Sequence, residues 1–180
     1  MSAALLLTGG CRCGKSDLAL RWAEAVAPQR AFVATSVPED PEMRLRVARH
    51  RQQRGTGWVT LEYPLDVAAG LRQAATAAQV AVLDCVTIWL SNLMAGGLDA
   101  DALLERVETL ADLLRQPPLP VAVVTNELGL GVVPATPLGR AFRDVAGEAN
   151  QVLAKACRDV LLVVCGLPLP LKGATPEVLL

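Results

Sequence analysis

Several things are scarce in this 180-residue sequence, and each scarcity excludes something. Neither sign of charge is in excess: 17 lysines and arginines face 18 aspartates and glutamates, so there is no electrostatic footprint for nucleic acid. Any anion site must therefore be local. No hydrophobic run is long enough to cross a bilayer; the best candidate, "VLLVVCGLPLPL" from Val160, is broken by glycine and proline, so no membrane span is expected. Leu5 to Leu7 leads at once into a turn and a charged helix, which is not the pattern of a signal peptide. There are five cysteines, an odd number, with no C-x-x-C pair and a single histidine, His50. That pattern fits a reduced, cytoplasmic protein without a disulfide framework. Repeats, low-complexity tracts and linkers are missing too, so residues 1–180 are expected to form one domain.

Short apolar runs alternate with helical patterns along the chain. Strands are expected at Ala3–Leu7, Arg30–Thr35, Trp58–Tyr63, Gln79–Asp84, Pro120–Thr125 and Asp159–Val164. Helices are expected at Lys15–Ala27, Pro41–Arg54, Leu65–Ala78, Ile88–Met94, Asp99–Arg115 and Leu138–Cys157, with an irregular tail from Gly166. This alternation predicts an α/β fold of the P-loop NTPase type, a mainly parallel, doubly wound sheet with helices on both faces. The 52% hydrophobic content and the few aromatics suit strands covered on both sides.

The densest signal is Gly9-Gly10-Cys11-Arg12-Cys13-Gly14-Lys15-Ser16. It satisfies G-x-x-x-x-G-K-[ST] in full, after an expected strand and before an expected helix. Glycines let the backbone wrap a phosphate, the helix N-terminus adds positive potential, and Lys15 adds a mobile point charge. Ser16 is positioned to bind Mg²⁺ beside the β- and γ-phosphates, and Asp84, ending an apolar strand, is the expected second Mg²⁺ partner. The alternative use of Cys11 and Cys13, as half of a zinc site, finds no further ligands at suitable spacing. A thiol beside Arg12 and Lys15 at a helix N-terminus would be oxidation-prone. Cys157 and Cys165 read as small apolar packing groups in a helix and a buried strand.

His50 lies on a helical stretch with Arg44, Arg46, Arg49, Arg51 and Arg54. Arg46 and Arg54 are one turn away on its face, where cationic neighbours favour the neutral, nucleophilic imidazole and attract a triphosphate. The residues alone leave two readings open: a nucleophile, or an idle histidine on a solvated basic helix.

The segments "TGGCRCGKS", "FVATS", "PEMRLRVARHRQQRGTGWVTLEYP", "VLDCVTIWLSNLM", "VTNELGLGVVP" and "RAFRDVAGEANQ" resemble, in order, the adenosylcobinamide kinase/adenosylcobinamide-phosphate guanylyltransferase family. The resemblance covers essentially the whole chain. It implies that ATP or GTP phosphorylates the aminopropanol hydroxyl of adenosylcobinamide, and that GMP from GTP then passes to adenosylcobinamide phosphate through a covalent histidine. The histidine of E-M-x-x-R-x-x-x-H falls on His50. By the same resemblance Gly9, Gly10, Cys11, Arg12, Cys13, Gly14, Lys15 and Ser16 bind the nucleotide phosphates. Ala34, Thr35, Ser36, Arg51, Gln52, Gln53, Arg54, Glu62 and Asp84 complete the nucleotide site. Asn126 and Glu127 fall at the mouth of a strand, and Arg143 and Asp144 are either site residues or a structural ion pair. A homotrimer is the assembly it suggests. The departure from the family pattern is the thiol pair, since a small residue and then Arg-Ser usually stand there; Cys13 is nearly isosteric with serine. Two simpler readings remain beside it: a small-molecule kinase with an idle His50, and a nucleotide-dependent switch.

Overall fold

A computed structural model describes residues 3–37 and 55–179. The expected helix Pro41–Arg54, with His50, lies outside the described residues. The strands are β1 (Ala4–Gly9), β2 (Arg30–Ala34), β3 (Trp58–Glu62), β4 (Val80–Asp84), β5 (Val121–Val124), β6 (Asp159–Val164) and β7 (Leu167–Lys172). The helices are α1 (Lys15–Val26), α2 (Val67–Ala77), α3 (Val86–Ala95), α4 (Ala100–Arg115) and α5 (Pro137–Ala156), followed by a 3₁₀ turn at Glu177–Leu179.

One sheet runs in the order β3-β2-β4-β5-β1-β6-β7. The first six strands in that order are mutually parallel, and β7 returns antiparallel along β6. Side-chain alternation splits the core in two. Leu6, Ala31, Val33, Ala81, Leu83, Val121 and Val123 point toward α2, α3, α4 and α5, while Leu5, Leu7, Val82, Ala122, Val124 and Val163 point toward α1 and Leu179. The central strands β1, β4 and β5 are buried on both faces, which is why they read as continuous apolar runs.

Helix starts follow from caps. The Asp66 carboxylate accepts from Ala69 N, Asp99 from Ala102 N, and the Thr136 hydroxyl from Gly139 N, ahead of Pro137 in the first turn. The Asp66 cap explains why α2 begins at Val67 rather than at Leu65.

Beyond Gly166 the sequence reading fails. That stretch is not irregular but forms β7, hairpinned to β6 through Cys165 and Gly166, whose φ values of 52° and 80° fit a two-residue turn of the type that matches strand twist. The two prolines of "LPLPLK" disguise the strand. They are tolerated because β7 is an edge, where alternate residues need no inward N–H. The same turn corrects the reading of Cys165, which is exposed and outside the strand. Cys157 is buried directly after α5, as expected of a packing thiol.

Candidate nucleotide site

The loop between β1 and α1 is shaped by its glycines. Gly9 has φ 146°, and a Cβ there would run into the Val163 carbonyl of β6. Gly14, at φ 100°, is the N-cap of α1 and offers no side-chain cap, which leaves the first-turn amides of α1 open to an anion. The Cys13 carbonyl accepts from Gly166 N at 2.8 Å, and a Cβ on Gly14 would sit 3.1 Å from the Gly166 Cα. The β6–β7 turn is therefore a wall of the loop.

Lys15 is only 5% exposed although it carries a charge. Its ammonium donates to the carbonyls of Gly9 (3.0 Å) and Gly10 (2.6 Å) and lies 3.4 Å from Cys13 Sγ. A buried charge needs partners, and Lys15 takes them from the loop that carries it. Cys11 and Arg12 are exposed, and Ser16 is half-buried as the second residue of α1.

Strand register brings the other expected residues to the same edge of the sheet. Glu62 of β3 aligns with Ala34 of β2, Ala34 with Asp84 of β4, Asp84 with Val124 of β5, and Val124 with Leu7 of β1. The row ends at Leu7, just before the glycine loop, with Glu62 on the outer strand at its other end. Thr35 closes it: its hydroxyl accepts from Cys85 N at 2.8 Å and donates to Cys85 O at 2.9 Å, and its own amide donates to Asp84 O. Ser36 follows, half-buried.

The Cys85 thiol reports the charges at this edge. Burial and then the Asp84 carboxylate push it from about 9 up to about 11, while the Lys15 ammonium pulls it down. Asp84 and Lys15 thus lie within electrostatic reach of the same atom. The hydroxyl of Ser16 and the carboxylate of Asp84 are hard oxygen donors, the chemistry Mg²⁺ selects, with phosphate oxygens and water needed to complete its shell. Among the described residues, no three His, Cys, Asp or Glu side chains group as a metal site.

Asn126 and Glu127 arrive from β5. Glu127 N donates to Gly9 O at 2.9 Å, tying this segment to the phosphate loop. Asn126 N donates to Thr87 Oγ1 (2.9 Å), and its carbonyl accepts from Asn150 Nδ2 (3.0 Å). Arg143 and Asp144 pair with each other on α5 at 2.9 Å, the structural alternative raised for them. His50, Arg51, Gln52, Gln53 and Arg54 lie outside the described residues.

Sequence reading passed over four supporting residues. Asn92 donates to Thr35 O (2.8 Å) and Pro64 O (3.1 Å), and Asn150 also accepts from Thr125 Oγ1 (2.8 Å). Both asparagines stand inside stretches that carry the family resemblance, so position alone marks them. Thr87 stands in the same stretch as Asn92, and for all four residues, Gly166 included, the partner is distant in sequence and leaves no local signal.

The family model described as "Cobinamide kinase / cobinamide phosphate guanyltransferase" matches residues 5–171. The chain is 43% identical to the bifunctional adenosylcobalamin biosynthesis protein CobP of Pseudomonas aeruginosa, covering 93% of this chain and 96% of that one. It is 37% identical to the bifunctional adenosylcobalamin biosynthesis protein CobU of Escherichia coli, over 93% of this chain and 99% of the relative. A protein of the same description from Salmonella typhimurium is 36% identical over the same shares. In fold the chain is similar to a KaiC-like protein from Pyrococcus horikoshii, with TM-score 0.52 and 16% identity over 89% of this chain and 70% of that one. With its glycine loop, strand-edge carboxylates and matching length, the chain belongs to the cobinamide kinase/cobinamide phosphate guanyltransferase family.

Proposed function

We propose that the chain phosphorylates the aminopropanol hydroxyl of adenosylcobinamide with ATP or GTP, then transfers GMP from GTP to the product, giving adenosylcobinamide-GDP. The observation that carries the reading is Lys15 turned onto the Gly9 and Gly10 carbonyls, in a chain that matches the family model from residue 5 to residue 171.

In the first reaction the loop amides and Lys15 hold the triphosphate. Lys15 exchanges the two carbonyls for phosphate oxygens, and the hydroxyl attacks the γ-phosphorus in line. The new O–P bond forms as the bond to the β,γ-bridging oxygen breaks, the hydroxyl proton passes to water, and the nucleoside diphosphate leaves. Mg²⁺, held by Ser16 and Asp84, supplies neutralisation of phosphate charge when bound. Cys11, Arg12 and Cys13 wrap the phosphates through the backbone, and Ala34, Thr35, Ser36 and Glu62 line the nucleotide.

In the second reaction a neutral nitrogen of His50 attacks the α-phosphorus of GTP. An N–P bond forms and pyrophosphate leaves. Arg51, Gln52, Gln53 and Arg54 follow the nucleophile and bind the nucleotide. A phosphate oxygen of adenosylcobinamide phosphate then attacks the same phosphorus, the N–P bond breaks, and the imidazole is regenerated. A homotrimer is the assembly in which we place these reactions.

A pulse and chase tests the covalent step. Protein treated with α-labelled GTP is expected to carry an acid-labile label that adenosylcobinamide phosphate discharges. A label that the corrinoid leaves in place contradicts the reading.

A further inference from the structure

The connection from β5 to α5 carries an unusual surface. Leu130 is 81% exposed, Val132 95% and Val133 61%, and Leu138 in the first turn of α5 is 67% exposed. Single exposed aliphatic residues need no explanation, but three within one short connection, with a fourth at the start of the next helix, form a patch.

The patch is held at both ends. On the β5 side, Glu127 N is bonded to Gly9 O at 2.9 Å, Glu127 Oε1 accepts from Gly129 N at 3.0 Å, and Leu128 packs on the core. On the α5 side, Arg140 Nη1 donates to the carbonyls of Pro134 (3.0 Å) and Ala135 (2.8 Å). Gly139 allows Pro134 to lie against the helix, since a Cβ there would come within 2.9 Å of the Pro134 Cβ. Between these anchors the chain presents Leu130, Val132 and Val133 to solvent, with the exposed glycines Gly129 and Gly131 keeping its backbone accessible.

Position supplies the occupant. The anchor at Glu127 is bonded to the phosphate loop itself, and Leu130 is three residues on, a reach of at most about 11 Å. We propose that this aliphatic tip is the docking surface for the corrin macrocycle of the acceptor. The proposal rests on the cobinamide reading above. The acceptor reacts at the end of a short arm, so with its hydroxyl at the γ-phosphate the bulk of the ring falls beside the phosphate loop. A corrin face is broad and studded with methyl groups, which aliphatic side chains match, and its rim carries carboxamides, which exposed peptide groups can bond. Leu130, Val132 and Val133 set affinity for the ring and take no part in phosphoryl transfer.

The test uses the full-length protein and cobinamide, whose own colour reports binding in equilibrium dialysis. The Leu130→Ser/Val132→Ser double variant is expected to weaken cobinamide binding by about tenfold or more, and to leave GTP affinity within about twofold of wild type. A Leu130→Ile/Val132→Ile variant, apolar at both positions, is expected to bind as the wild type does. Unchanged cobinamide affinity in the serine variant overturns the proposal. So does a serine variant whose only change is its sedimentation, because the patch would then join copies of the chain. A wild-type protein that fails to bind cobinamide removes the functional reading and the docking surface together. Wild-type binding with an indifferent serine variant removes the docking surface alone.

Discussion

Lys15 shows how much one residue can be read for and how much it cannot. The G-K-[ST] spacing announces a phosphate-binding lysine, but not that its ammonium rests on the Gly9 and Gly10 carbonyls, nearly out of solvent. That arrangement comes from the fold of the loop, and on the function proposed above it holds a charge ready for the transferring phosphate. Removing it takes away transition-state stabilisation more than binding. Lys15→Ala is expected to lower kcat for cobinamide phosphorylation by about 100-fold or more, as read by initial rates at saturating nucleotide. Cys13 sits in the same loop with its thiol 3.4 Å from Lys15 and its carbonyl bonded to Gly166. The backbone contact needs no particular side chain, so it accommodates the thiol of Cys13.

Elements were legible where hydrophobic periodicity decides them. β4 and β6 matched to within a residue, and α4 began one residue late because Asp99 became its cap. β7 was illegible because proline usually argues against a strand, and only its place at the sheet edge makes Pro168 and Pro170 acceptable. The β6–β7 hairpin matters to the site, since Val163 of β6 limits Gly9 and Gly166 braces Cys13. This packing of strand against loop makes a definite prediction. Gly9→Ala places a side chain at φ 146° and against the Val163 carbonyl, so it forces β1 and β6 apart at the loop. A loss of roughly 2–4 kcal/mol in urea unfolding is expected, with nucleotide affinity lost as well. Calorimetric titration with a nucleoside triphosphate checks the second part.

Across the whole molecule, a buried thiol lies in each half of the core. Cys157 belongs to the face covered by α5, and Cys85 to the face covered by α1. Burial raises both, Cys85 to about 11 and Cys157 to about 12, from an ordinary value near 9. Their folded forms keep the proton longer than the unfolded chain does. The stability they contribute is therefore complete below about pH 9 and is lost as pH rises toward 11–12. The Cys85 shift alone corresponds to about 3 kcal/mol. Urea midpoints are expected to fall above about pH 9, and a Cys85→Ala/Cys157→Ala variant, less stable at neutral pH, is expected to show a flatter alkaline profile. The parallel sheet itself was legible from alternating strands and helices. The glycine loop and the strand-end residues could be named from the sequence, but their alignment could not: the row of Glu62, Ala34 and Asp84 depends on register between strands distant in sequence. No helix among the described residues is long and apolar enough to cross a membrane.

On the function proposed above, one chain carries out two successive transfers, and His50 is needed only for the second. Mass spectrometry of the corrinoid products formed from adenosylcobinamide and GTP tests it most directly. The wild type is expected to form adenosylcobinamide phosphate and then adenosylcobinamide-GDP, and His50→Ala to accumulate the phosphate. Adenosylcobinamide-GDP formed by His50→Ala at the wild-type rate would contradict the account.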